Sequence, residues 1–253
     1  MKVSAIHFEG VSKSYAGALA VDSVSLAIAS GSFVALVGTS GSGKSTLLKM
    51  INRLVEPDSG AVLIGEARAD AMAPHVLRRR IGYVFQSIGL FPHMTVAENI
   101  AIGLRLESQD QGDRVAELLD LVDLPRDHAA RMPDALSGGQ RQRVGVARAL
   151  ALAPQLMLMD EPFGALDPVT RDQIGTAYRA LHDRLALTTI MVTHDMAEAL
   201  LLADRLLVMQ AGRIVADATP HDVLTGKAGR AADALVAVPR AQAERLLRLE
   251  HGA

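Results

Sequence analysis

One nine-residue stretch constrains this chain more than any other: "GTSGSGKST", Gly38 to Thr46. It follows "SFVALV", a short apolar run of the kind that forms a buried strand, and opens a helix read from about Lys44 to Leu54. A glycine-rich turn in that context lets backbone N–H groups converge on phosphate oxygens, while the helix N-terminus adds partial positive charge. Gly38, Thr39, Ser40, Gly41, Ser42, Gly43, Lys44, Ser45 and Thr46 are therefore expected to hold a nucleotide. Lys44 would reach the β- and γ-phosphates, and the Ser45 hydroxyl would serve Mg²⁺. The alternative is a glycine-rich turn with no ligand. It requires a chance match that also falls between a strand and a helix.

The rest of the chain frames that loop. Residues 3–37 read as β-rich, with period-two alternation in "AIHFEGVSKSY" and "AVDSVSLAIASG". "GAVLIG" and "RRIGYVFQ" are further strands, and residues 93–153 read as mostly helical. Thr95 with Glu98, and Asp195 with Glu198, are expected capping boxes; Asp167 is an expected N-cap with Pro168 at the first helical position. "LMLMD" and "TTIMVTHD" are buried-type strands, and "LLVMQAGRIVADA" is a hairpin turning on Ala211-Gly212. Buried strands alternating with helices predict a mainly parallel sheet with helices on both faces, interrupted by a helical insertion. The expected organisation is one domain over 6–236, a helical subdomain at about 87–150, and a short helical tail over 237–253 with no regulatory domain.

Composition narrows the partners. The balance of 26 basic to 28 acidic side chains argues against a generic nucleic-acid binder, and zero cysteine excludes disulfides and thiolate metal ligands. No apolar run reaches the roughly 18 residues a membrane span needs. The longest candidate, "MAEALLLADRLLVMQAG", is broken by Glu198, Asp204 and Arg205.

Two further stretches carry chemistry. "LMLMDEP" places Asp160 and Glu161 where a strand leaves the core. One carboxylate could hold a Mg²⁺ shell and the next could orient and deprotonate an attacking water. Many buried strands simply end in acids. "LSGGQ", 136–140, opens a helix carrying Arg141, Arg143 and Arg148. Its glycine pair offers free N–H groups to an anion, yet an ordinary helix start capped by Ser137, with arginines on a solvated face, fits equally well.

The order of these elements resembles the ATP-binding cassette (ABC) ATPases across nearly the whole chain: Gly38–Ser45, Gln86, "LSGGQ", "LMLMDE", "ALD" at 165–167 and His194. That resemblance implies an α/β fold with a P-loop NTPase (RecA-like) core, an N-terminal antiparallel β subdomain and an inserted α-helical subdomain. It implies two cassettes packed head to tail, with Ser137, Gly138, Gly139, Gln140 and Asp167 acting on ATP held by the other subunit. The arginines of the signature helix are then mostly structural. Tyr15 stands where the family stacks an aromatic on adenine. Gln86 would sense Mg²⁺ and the γ-phosphate, Asp160 would join Ser45 and Gln86 around Mg²⁺, and Glu161 with His194 would be catalytic. Gly164 stands where many relatives have serine.

"GYVFQSIGLFPHMTVAENI" with "MDEPFGALDPVTR" is similar to importer cassettes, most closely those for glycine betaine, choline and other quaternary amines. This implies a transport ATPase on the cytoplasmic membrane face, a second cassette of the same kind, integral membrane permease subunits docking near residues 87–100, and indirectly a substrate-binding protein. Amino-acid and polyamine importers share similar stretches, and a non-transport scaffold ATPase is a further alternative. The tail "VPRAQAERLLRLEHGA" is too short for the paired sensor modules of several betaine importers. A DNA-maintenance ATPase is disfavoured: fewer than a hundred residues separate Lys44 from Leu136, without heptads or cysteines. The "RRR" at 78–80, its only support, reads as a solvated approach to a strand.

Overall fold

In the computed structural model, the alternation read from the strands divides one chain between two apolar cores. The structure describes residues 6–237 together with Ala241 and Arg245. Strands β1 (Ile6–Tyr15) and β2 (Ala18–Ile28) are followed by β3 (Phe33–Val37) and helix α1 (Lys44–Ile51). Then come β4 (Ser59–Ile64), β5 (Ala67–Arg68), α2 (Pro74–Arg79) and β6 (Ile81–Val84). Helices α3 (Val96–Leu106), α4 (Arg114–Leu121) and α5 (Gly138–Leu150) lead to β7 (Leu156–Asp160) and α6 (Pro168–Leu185). The chain continues with β8 (Thr188–Val192), α7 (Met196–Leu202), β9 (Arg205–Gln210), β10 (Arg213–Ala218) and α8 (Pro220–Leu224). Residues 230–237 are also helical.

Strands β2-β1-β4-β5 form an antiparallel sheet. The larger sheet has the order β10-β9-β3-β8-β7-β6 and is parallel except for β10 at its edge. This is the expected α/β architecture. Val34 and Leu36 of β3, Leu158 of β7 and Ile190 of β8 face one core; Ala35, Met157 and Met191 between them face the other. The first core is shared with the antiparallel sheet and with α1, whose Leu47, Leu48, Met50 and Ile51 are at most 2% exposed. Each such side chain contributes roughly 1.5–3 kcal/mol on burial. Helix α1 is thereby clamped between two sheets. The second core takes Ile100 of α3, Leu118 of α4, Val144 of α5 and Tyr178 of α6.

Local chemistry accounts for the element ends. Thr95 Oγ1 accepts from the Glu98 N–H at 3.2 Å and Glu98 Oε2 accepts from the Thr95 N–H at 2.8 Å, a complete capping box. Asp167 caps α6, accepting from the Thr170 N–H at 3.0 Å, and Ala211 (φ 46°) with Gly212 (φ 80°) makes the tight β9–β10 turn.

Three expectations need correcting. The Asp195–Glu198 box is only half formed: Asp195 caps α7, but the Asp195 N–H goes to Thr193 Oγ1 at 3.0 Å, and Glu198 turns inward. The arginine run is exposed and leads into β6, as expected, but it does so as the end of a helix. Arg78 and Arg79 end α2, which has Pro74 at its start, and β6 begins at Ile81. Arg78 donates to the carbonyls of Asn52 (3.0 Å) and Arg53 (2.6 Å), satisfying acceptors left by the end of α1, and Arg79 pairs with Glu107. Helix α1 itself stops at Ile51 rather than Leu54, because Arg53 turns left-handed at φ 56°. Of the helical tail expected over 237–253, only Ala237, Ala241 and Arg245 are described, each helical; the rest lies outside the described residues.

Losing a cap costs typically about 1 kcal/mol, so Thr95→Ala should lower the melting temperature by about 2–4 °C in a chain of this size. A calorimetric scan showing no change would place the order of the α3 start elsewhere.

Candidate nucleotide site

Strand register sets the floor of the site. Leu36 of β3 pairs with Val192 of β8, and Val192 with Asp160 of β7. Gly38 and His194 each follow that row by two residues and Glu161 by one. Val84 of β6 pairs with Met159, so Gln86 emerges beside them, two residues past its strand. All four groups leave the carboxyl edge of the parallel sheet, where open α/β sheets bind ligands.

The loop is shaped by neighbours that admit no side chain. A Cβ on Gly38 (φ 147°) would lie 2.1 Å from the Met209 carbonyl oxygen, and one on Gly43 (φ 105°) 2.0 Å from that of Ala20. Thr39, Ser40 and Gly41 form an exposed outer curve, Ser42 is buried, and Thr46 is half-buried in the first turn of α1. Lys44 Nζ donates to the carbonyls of Gly38 (2.9 Å) and Thr39 (2.8 Å), spanning the mouth of the loop. Burial lowers its pKa, and the Glu161 and Asp160 charges oppose that.

The two adjacent acids do different work. Asp160 is 4% exposed and fully engaged. Its Oδ1 accepts from Ser45 Oγ at 2.7 Å, and its Oδ2 meets Lys49 Nζ at 3.1 Å and accepts from the Tyr83 hydroxyl at 3.4 Å. Burial first, then the Asp160 charge, pushes the Tyr83 phenol above its usual range. Glu161 is left-handed at φ 48°, a conformation that costs a non-glycine residue on the order of 1–3 kcal/mol. Its N–H extends the sheet ladder to the Val192 carbonyl at 2.9 Å, and its carboxylate turns to other partners. Oε2 accepts from Gln86 Nε2 at 3.0 Å and lies 3.3 Å from Nδ1 of the exposed His194 ring. A Cβ on Gly164 would lie 3.8 Å from His194 Cε1 and 3.9 Å from that oxygen, so the residue bearing no side chain here borders the pair.

The structure thus brings together Lys44, Ser45, Asp160, Glu161, Gln86 and His194. Ser45 Oγ, the Asp160 carboxylate and the Gln86 amide are hard oxygen donors that fit a small divalent cation. Among the described residues no group of three or more His, Cys, Asp or Glu side chains is placed to hold a metal. The donor set therefore suits a cation completed by phosphate oxygens and water. Tyr15 is 49% exposed at the end of β1, with Lys13 Nζ 5.8 Å from its ring centroid. Its hairpin reaches the loop through Ala20, the residue against Gly43.

Ser137, Gly138, Gly139, Gln140 and Asp167 form a separate group. Ser137 and Gln140 cap α5 reciprocally (3.2 and 2.9 Å), and Asp167 caps α6. Gly139 packs so closely on α6 that a Cβ would meet Thr170 Cγ2 at 2.6 Å. The arginines of α5 are structural. Arg141 donates to the Leu136 carbonyl at 2.8 Å, Arg143 to that of Val122 at 2.8 Å, and Arg148 to those of Ile88 (2.5 Å) and Gly89 (2.7 Å). That leaves no basic face of free guanidinium groups.

Sequence reasoning missed Lys49 and Tyr83. Lys49 follows Ser45 by four residues on one helix face, which was a usable signal; Tyr83 offered none.

Comparison with known proteins now bears on this geometry. Residues 21–164 match the family described as ABC transporter. The chain is 50% identical over 224 residues to the choline transport ATP-binding protein OpuBA of Bacillus subtilis, covering 87% of this chain and 59% of that protein. It is 50% identical over 223 residues to the glycine betaine uptake system ATP-binding protein YehX of Escherichia coli, covering 87% and 72% respectively. Among solved structures, a dimeric post-hydrolysis state of the ATP-binding cassette MJ0796 bound to ADP and Pi superposes with a TM-score of 0.77 at 33% identity, over 85% of this chain and 98% of that one.

Because an added Cβ collides with Ala20, Gly43→Ala should weaken nucleoside triphosphate binding at least about tenfold by distorting the backbone cradle. Gly17→Asn, in open space at φ 83°, should bind as the parent does. Titration with a fluorescent nucleotide distinguishes the two.

Proposed function

We infer the function from one premise: the chain belongs to the ABC transporter family. It is the ATP-hydrolysing subunit of an importer, acting as a pair of cassettes on the cytoplasmic face of a membrane. The observation that carries this reading is the convergence of Gln86 and His194 on one oxygen of Glu161, beside a phosphate loop whose Ser45 is tied to Asp160.

The loop N–H groups and the start of α1 would hold the phosphates of ATP, with Lys44 exchanging loop carbonyls for β- and γ-oxygens. Ser45, Asp160 and Gln86 would hold Mg²⁺, which supplies charge neutralisation on the phosphates. Glu161 takes a proton from the attacking water. Its Oε2 is oriented by Gln86 and His194, which leaves Oε1 to face that water. His194 would also contact the γ-phosphate, and Tyr15 would stack on adenine.

Ser137, Gly138, Gly139, Gln140 and Asp167 serve ATP on a second copy. Their bonds within one chain are local caps, and the exposed start of α5 remains available to an anion. No helix among the described residues is long and apolar enough to cross a membrane; permease subunits would carry the solute across. Phe85 (45% exposed) precedes, and Phe91 (38% exposed) lies within, the 87–100 segment on which a permease helix would rest. Relatives named for choline and glycine betaine support a quaternary amine as cargo, delivered by a substrate-binding protein. The second reading, another solute such as an amino acid or polyamine, keeps the same machine.

Glu161→Gln should lower ATP turnover by about 10²–10⁴ while preserving ATP binding, and should accumulate an ATP-bound dimer in size-exclusion chromatography. Near-normal turnover would remove Glu161 from the role of base. Ser137→Arg should bind ATP yet fail to dimerise, and ATP-driven dimers of that variant would overturn the shared site.

For the whole system, the chain is co-reconstituted with candidate permease subunits and a binding protein. ATPase is then measured against glycine betaine, choline, amino acids and polyamines. Stimulation by a quaternary amine supports the cargo and stimulation by another solute replaces it. No response to any solute overturns the importer reading.

A further inference from the structure

A sizeable cavity lies away from the phosphate loop. It is a groove of about 520 Å³ between α6 and α7, walled by Pro168, Gly175, Ala180, Ala197 and Leu202 and rimmed by Leu201, which is 72% exposed. That volume suits a small organic ligand, and the walls are mainly apolar.

Polar groups at the groove are unequally satisfied. Arg171 pairs with Asp195 at 2.6 Å, and Arg179 with Asp183 at 3.0 Å and Asp204 at 2.8 Å, so both cations are committed. Asp172 has no ion pair among the described residues. Glu198, only 8% exposed, lines the groove with Oε1 buried and unpartnered; Arg171 Nε is likewise buried and unpartnered. A buried carboxyl oxygen without a partner is costly and calls for a donor. Four carboxyl groups against two paired guanidinium groups favour a cationic donor.

We propose that the α6–α7 groove is a second ligand site, taking a small amphipathic organic amine whose N–H group bonds to Glu198 and whose alkyl body lies against Leu201 and Leu202. The site is independent of the nucleotide reading, and it reaches that machinery physically. Arg171 joins Asp195, next to His194, to the Leu166 carbonyl at 3.0 Å, next to Asp167. An amine here therefore bears on both catalytic loops.

The groups facing Glu198 are Thr193, Asp195, Arg171 and His194, with Asp172, Arg179 and Asp183 elsewhere along the groove. Burial, aided by the Asp195 charge, raises the Glu198 carboxyl to about 7, against the Thr193 hydrogen bond and the Arg171 and His194 charges. Its folded value lies above its unfolded one, so the stability it contributes is lost as pH rises through about 7. A bound ammonium favours the ionised form, so amine affinity should tighten about tenfold between pH 6 and pH 8.

The test uses the full chain with labelled Leu methyl groups. Hexylamine, 6-aminohexan-1-ol, 1-hexanol and hexanoate are titrated by NMR at pH 6 and pH 8, with parallel melting scans. Saturable shifts at Leu201 and Leu202 with either amine are expected, tighter at pH 8, with hexanol weaker and hexanoate silent. Glu198→Gln should lose the pH dependence of both binding and stability and bind hexylamine at least about tenfold more weakly. Leu201→Arg, at an exposed position that leaves the core intact, should weaken amine binding by repulsion. Equal binding of hexanol and hexylamine, unchanged affinity in both variants, or no saturable shift would overturn the site.

Discussion

The phosphate loop owes its shape to two backbone carbonyls, Met209 from β9 and Ala20 from β2, that close on Gly38 and Gly43. They come from different sheets, so the loop is the place where the antiparallel and parallel sheets are held in fixed relation. The β9–β10 turn completes the junction. The Gly212 N–H donates to the Ser42 carbonyl at 3.1 Å, the Gly212 carbonyl accepts from the Asp22 N–H at 2.9 Å, and Arg213 pairs with Asp22 at 2.6 Å. Helix α1, clamped in the core between the sheets, then has one possible direction for its N-terminus. Tyr15 on the β1–β2 hairpin is positioned by the same junction.

From that fixed edge, the contrast between Asp160 and Glu161 follows. A strand residue at the end of a buried row can be neutralised only by neighbours on its own face, and Asp160 finds Ser45, Lys49 and Tyr83 there. The next residue could have continued the strand. Its left-handed backbone instead aims the carboxylate across to the ends of β6 and β8, where Gln86 and His194 wait. The strain is sustained because the Glu161 N–H remains in the ladder with Val192.

Much of this was legible in advance, for a physical reason. Period-two burial, helix caps and glycines at forced conformations are local, and they specified β3, β7, β8, the Thr95 box, the Asp167 cap and the loop itself. What escaped depended on contacts distant in sequence. "SxxE"-like spacing at Asp195–Glu198 promised a reciprocal cap, but Thr193, two residues upstream, took the N–H and released Glu198 into a groove formed with α6. The arginines at 78–80 are exposed as read, but the acceptors of Arg78 and Arg79, the Asn52 and Arg53 carbonyls and Glu107, lie on distant segments that the sequence did not reveal. The structural reading of the α5 arginines holds, because Arg141, Arg143 and Arg148 each donate to backbone carbonyls.

Helix α5 connects the two separated groups of site residues. At its start, Gly139 lies so close to Thr170 that α5 and α6 must move together, carrying Ser137 and Asp167 as one unit. At its other end Arg148, its own pKa lowered by burial, holds the Ile88 and Gly89 carbonyls, and Gly145 leaves room for Ile88, where an added Cβ would meet Cγ2 at 3.1 Å. Ile88 is β-branched yet left-handed at φ 58°, a conformation that persists only where its surroundings impose it. Gln86 lies two residues away. A rigid helix pinned at both ends cannot shift its signature end without stressing the segment that carries Gln86, and the reverse holds equally. The group around Glu161 and the group around Ser137 are thus mechanically joined, although no side chain of one touches a side chain of the other among the bonds described.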